Sequence, residues 1–274
     1  MKFKYLIIAF SILIIIIIFI TVFIPLLIAG PEFAANFRFV ILPLLIFLVL
    51  VLFGMSIFFL LNYRLLSLLE REDWPALAYY LENQVYVKGR YSSRNVRILA
   101  SSYLVISDYQ SVLKLESKTQ AANPSAVNAN VLIFGAAKIL CGKFDEAASF
   151  YKIHTNKCKK KDRQWVRWFF GFSQLLTGSF AAAEPEFSSL SVTSNDSLIT
   201  GISAYFLHNS LEKKSSNPEK CRQVAENGKS RVISAVKDHG GWIKETQKMG
   251  TDVHVAIIRK YVDETGKWLF NITE

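Results

Sequence analysis

Apolar and polar positions divide the chain into two regimes. Residues 5–28 are almost unbroken hydrocarbon, with isoleucine at every position from Ile14 to Ile18 and no charge. About 20 apolar residues span a bilayer core, so this stretch predicts a transmembrane helix. A cleaved signal peptide would have a core of roughly 7–15 apolar residues before a small-x-small site. Here the core is longer and a second apolar stretch, residues 39–61, follows it. The polar link between them, residues 29–38, holds Gly30-Pro31 and predicts a tight turn. The expectation is a transmembrane hairpin over residues 1–62, with Pro25 and Pro43 kinking its helices.

Past Asn62 the apolar residues take helical spacing, beginning with Leu65, Leu66, Leu68 and Leu69. No Gly or Pro interrupts residues 64–70, so the second span is expected to run straight into the next helix. Asp73-Trp74-Pro75 then supplies a cap and a first-turn proline. Further on, the pattern repeats. Gly135, Gly142, Phe144, Ala147 and Tyr151 recur 36 positions later as Gly171, Gly178, Phe180, Ala183 and Phe187. Weaker copies stand about 35 residues upstream, at Ala100, Tyr103, Ser107, Tyr109 and Val112, and again at Leu65, Leu68, Glu72, Trp74 and Leu77. A period in the mid-thirties predicts a helix–turn–helix unit that buries its apolar face only by stacking on neighbours. The first Gly allows close helix approach, and the second suits a left-handed turn residue.

These residues resemble the tetratricopeptide repeat (TPR), with its Gly-x-aromatic-x-x-Ala core. The resemblance covers about half the chain, residues 63–191, and implies an all-α solenoid. Residues 192–274 are expected to form a degenerate helical pair and a C-terminal capping helix starting at Asp252, with Val253, Ile257 and Tyr261 on one face. TPR proteins generally bind peptides or helices in the groove lined by the first helix of each repeat. Carrying the register across implies a groove formed by Arg94, Arg97, Ser101, Trp165, Trp168 and Phe172. Trp and Arg are frequent binding hot spots, and aromatics at helical spacing are equally frequent in cores. Ile133, Trp165 and Phe169 stand where chaperone-binding TPRs carry Asn and basic residues, which argues against capture of a chaperone C-terminus. Two N-terminal spans running into repeats are similar in layout to HemY-type bacterial inner-membrane proteins.

Charge refines this picture. Of 32 basic and 22 acidic side chains, Lys2, Lys4, Arg38 and Glu32 fall in the first 63 residues, leaving 29 and 21, a net +8. Lys2 and Lys4 before the first span, and Arg64 and Arg71 after the second, predict that both ends are cytoplasmic. Unpaired Cys141, Cys158 and Cys221 agree with a reducing compartment; the sequons at Asn195 and Asn271 would matter only in a lumenal domain and are short enough to arise by chance. Residues 138–167 hold nine basic and three acidic side chains, with Lys157, Lys159, Lys160, Lys161 and Arg163 on one inter-repeat turn. Such a cluster is either a solvated turn or a site for anionic lipid. Nucleic acid is disfavoured, for want of a basic recognition helix or an aromatic strand platform.

Candidate chemistry adds little. His154 and Cys158 stand at i, i+4, the spacing of a metal pair, but no second pair completes a site. No phosphate loop, nucleophile elbow or HExxH is present, and Asp145-Glu146 suits the start of a helix. The expectation is therefore a non-enzymatic, membrane-anchored adaptor without cofactors that binds a protein partner. The alternatives are an accessory subunit of a membrane enzyme or transporter, and a lipid- or nucleic-acid-binding module using the basic turn.

Overall fold

The computed structural model describes residues 2–248 and 253–272, and every regular element among them is helical. The expected helix start at Asp252 lies outside the described residues. The chain divides into two compact units, Met1–Tyr80 and Leu81–Glu274.

The first unit is dominated by α1, Lys2–Glu70, a continuous helix of 69 residues. The turn expected at residues 29–38 is not formed, and the helix passes through Gly30-Pro31. Pro31 removes one donor, but Ala34 and Ala35 are strong helix formers, and an unbroken helix keeps the remaining backbone groups paired. Among the described residues one stretch, Leu42–Glu70, is long and apolar enough to cross a bilayer, and Ile8–Thr21 is a shorter apolar segment. The expected two spans are thus not matched among the described residues, where one candidate span is found, and the placement of both chain ends on one side is unsupported. The expected continuity past residue 61 is found, since α1 ends only at Glu70. Asp73 Oδ1 accepts from the Ala76 amide at 3.1 Å and caps α2, Trp74–Glu82.

In the second unit antiparallel helices follow in pairs. These are α3 (Ser93–Val105) with α4 (Tyr109–Ala122), then, after the short α5 (Pro124–Asn128), α6 (Val131–Leu140) with α7 (Phe144–His154). Next come α8 (Arg163–Leu176) with α9 (Phe180–Thr193), and α10 (Ser197–Phe206) with α11 (Pro218–Val236). The turns inside the first three pairs, and the one between α1 and α2, are built alike. A left-handed residue stands at Glu72, Ser107, Gly142 and Gly178, at intervals of 35, 35 and 36 residues. At each one its amide donates to a carbonyl three residues back, and the next amide donates to a carbonyl five residues back, as in Gly142 N to Ile139 O and Lys143 N to Lys138 O, both 2.9 Å. This double bond is the Schellman stop signal. Glutamate and serine hold the same geometry as glycine because both bonds are made.

The first helices of the pairs, α3, α6, α8 and α10, neighbour one another in turn and present a common face. The last two helices are α12 (His239–Gln247) and α13 (Val253–Phe270). α13 does not cap the end of the row. It packs on α3, α6 and α10, and its Tyr261 ring lies 5.6 Å from Phe172 of α8. Its buried stripe is Ile258, Val262, Thr265 and Leu269, one position beyond the face expected from Ile257 and Tyr261. The shift follows from Trp242 of α12, which is buried against Gly201 and Gly266 and donates to Val262 O at 3.3 Å.

Candidate functional site

A cleft of about 800 Å³ opens in the second unit at the N-terminal ends of α6, α8 and α10. Arg97, Lys161, Gln164, Trp165, Asp196 and Lys248 face it. Its walls are fixed by side chains at helix ends. Asn130 is 2% exposed, and its Nδ2 donates to Ser93 O at 3.1 Å and Ala126 O at 2.8 Å. Its Oδ1 accepts from Arg97 Nε at 3.2 Å, so the start of α6 holds the guanidinium of α3. On the far wall Asp196 Oδ1 accepts from the Leu198 and Ile199 amides and caps α10. Ser194 Oγ donates to Gln164 Oε1 at 3.0 Å and ties that wall to α8.

Arg231 completes the support. Reaching from α11, its guanidinium donates to the carbonyls of Ser191, Val192 and Ser194 at the end of α9. Cations satisfy orphan carbonyls at a helix C-terminus and oppose its negative dipole end. Nothing in the sequence marks Arg231, because its three acceptors are backbone atoms.

The expected groove residues separate. Arg94 and Arg97 are exposed on α3, Ser101 is half-buried, and of the six only Arg97 and Trp165 face the cleft. Trp168 and Phe172 are core: Trp168 is 0% exposed, stacks on Phe172 at 5.2 Å and meets Phe206 at 5.6 Å. They are absent from an open groove because α10 and α13 cover that part of the first-helix face. Lys157, Lys159, Lys160, Lys161 and Arg163 are all exposed on the turn into α8, and Lys161 alone of them reaches the cleft.

The titratable groups beneath that turn are already engaged. His154 is buried, with its Nδ1 2.8 Å from Asn128 Oδ1. Burial, then Lys157 and Lys138, hold it below the usual histidine range. Cys158 donates to Thr155 O at 3.2 Å, and burial pushes its thiol up. Burial likewise raises Cys141, and raises Cys221 to about 11, so all three thiols are protonated at neutral pH. No cluster of three or more metal-ligating side chains occurs among the described residues.

A pH dependence follows from His154. Its folded value lies below the unfolded 6.5, so the unfolded chain binds the extra proton and stability rises with pH. Its contribution is fully present above 6.5 and is lost as pH falls through the folded value. Urea midpoints of the full chain in mild detergent should drop between neutral and mildly acidic pH, and His154→Gln should flatten that drop.

These features define an all-helical protein of paired helices with one candidate membrane-crossing helix and a polar cleft at helix ends. The chain belongs to the family described as "Uncharacterised Treponema protein", whose profile matches residues 111–271, more than half of the sequence. It is also similar to an uncharacterized protein of Treponema pallidum (strain Nichols), 30% identical over 233 residues, which is 82% of this chain and 74% of that one. The family match begins within α4, so it includes the walls formed by α6, α8 and α10 and leaves out Arg97.

Proposed function

We propose that the protein is a non-catalytic, membrane-anchored adaptor of TPR-like design that holds a segment of a protein partner in the cleft beside Trp165. The observation that carries this reading is the convergence of Arg97 and Trp165, from different helix pairs, on one opening with supported walls. The four alike turns at mid-thirties spacing support a stacked-repeat design, in which neighbouring units share a binding face. The site differs from a long open groove, because α13 already lies along much of the first-helix face. A partner therefore gains a short contact at the helix ends, anchored by an aromatic ring and a guanidinium.

Leu42–Glu70 serves as the anchor, and the paired helices face the cytoplasm. Arg64 and Arg71 at the C-terminal end of the apolar stretch and three unpaired thiols favour that side. The test is a comparison of purified full-length variants. Arg97→Glu combined with Trp165→Ala should release a co-purifying protein, while Lys159→Glu and Lys160→Glu together should retain it. Retention by the Arg97/Trp165 variant would contradict the reading, and an accessory subunit held through α1 would then be favoured.

A further inference from the structure

The turn between α7 and α8 carries a concentration of charge that meets the cleft only through Lys161. Lys157, Lys159, Lys160, Lys161 and Arg163 are exposed within seven residues, and only Asp162 stands among them with opposite sign. The backbone under them takes a defined path. Cys158 is 7% exposed and turned inward, Lys159 is extended, and Lys160–Asp162 form one 3₁₀ turn that leads into α8. The five cations are therefore displayed together on one short strap.

The density of unpaired charge sets this turn apart. None of the five makes a salt bridge among the described residues, whereas the basic side chains that flank the turn in sequence do: Lys138 to Glu116 at 2.8 Å, Lys143 to Glu146 at 2.9 Å, and Arg167 to Glu186 at 2.8 Å. Arg94, on the first turn of α3, adds a further unpaired charge at the same edge, where the first helices of the pairs begin. Unmatched cations this close repel one another, and the field they create favours a polyanionic partner.

We propose that this edge is an interaction surface for a bilayer bearing anionic phospholipid headgroups. Two observations favour lipid over other polyanions. Ile153, four residues before Lys157, is 58% exposed, so an apolar side chain stands beside the cations, as suits the headgroup–acyl boundary. The chain also carries Leu42–Glu70, able to cross a bilayer, so a lipid surface accompanies the protein. Polybasic segments near a membrane are drawn to its negative surface potential, and the attraction fades within a Debye length. The proposal stands apart from the partner cleft, since it rests on exposed charges of which only Lys161 touches that opening.

The experiment is lysine-acetylation footprinting of the full chain in nanodiscs of phosphatidylcholine alone and of phosphatidylcholine mixed with phosphatidylglycerol. Labelling of Lys157, Lys159, Lys160 and Lys161 should fall several-fold in the anionic discs, while Lys143 and Lys220 stay unchanged, and high salt should reverse the fall. In the variant carrying Lys159→Glu, Lys160→Glu and Lys161→Glu, whose changed positions are all exposed, Lys157 reports alone and should lose its protection. Equal labelling in both discs overturns the proposal, as does undiminished protection in the triple variant. Added inorganic phosphate or a short RNA duplex that protects the strap equally well in phosphatidylcholine discs also overturns it, because the ligand is then a soluble anion.

Discussion

Gly135→Ala is expected to be among the most damaging single substitutions in the second unit. A Cβ on residue 135 would stand 2.1 Å from Cζ of Tyr151, and Tyr151 is fully buried and stacked on Phe169 at 5.7 Å. Its ring has nowhere to move without unpacking α6 from α7. Overpacking of a filled core costs about 1–3 kcal/mol, and this contact belongs at the upper end. Gly171, the counterpart in the next pair, offers a control. There the nearest atom to an added Cβ is Phe187 Cζ at 3.2 Å, which a slight ring shift relieves. Alanine also gains about 0.5–1 kcal/mol over glycine inside a helix, so Gly171→Ala should be close to neutral. Urea unfolding of full-length protein in mild detergent measures both. A double-mutant cycle assigns the cause: in a Tyr151→Ala background Gly135→Ala should lose most of its cost.

The second large effect is expected at Trp168. The indole is fully buried, with ring centroids of Phe169 and Phe172 at 5.2 Å, Phe206 at 5.6 Å and Phe187 at 5.8 Å. It joins α8, α9 and α10 in one aromatic cluster, which Tyr261 of α13 extends through Phe172 and Phe206. Truncating such a side chain leaves a cavity and costs about 3–5 kcal/mol. Trp165→Ala, three residues earlier on the same helix but half-buried at the cleft, should cost about 1 kcal/mol or less. The two tryptophans therefore separate stability from binding: Trp168→Ala lowers the urea midpoint sharply, whereas Trp165→Ala keeps the fold and weakens partner retention.

That contrast marks the boundary of what the sequence discloses. The spacing of Gly142 and Gly178 announces two turns, since a left-handed residue and a close helix approach demand particular residue types. Glu72 and Ser107 adopt the same conformation with less distinctive chemistry, so their turns were legible only by extrapolating the period. The stripe of α13 tells that one face is buried, but no local property says against which helices. Tertiary packing seats it on α3, α6, α8 and α10, and thereby turns Trp168 and Phe172 from expected anchors into core. Gly30-Pro31 misleads for a related reason. The pair reads as a turn, yet helix-forming neighbours and the need to pair backbone groups carry α1 through it. Arg97 and Trp165 could be read as candidates from the repeat register, while Asn130 and Arg231, which hold the walls, act on or through backbone atoms that leave no side-chain pattern.

The adaptor reading depends on the cleft holding part of another protein. Its most direct test is a photo-crosslinking amino acid at position 165 of the full-length protein in its native membrane, compared with the same probe at exposed position 153 on α7. The account predicts an adduct of one defined size from position 165 that disappears when Arg97→Glu is added. No adduct above that from position 153, or one indifferent to Arg97→Glu, would contradict it.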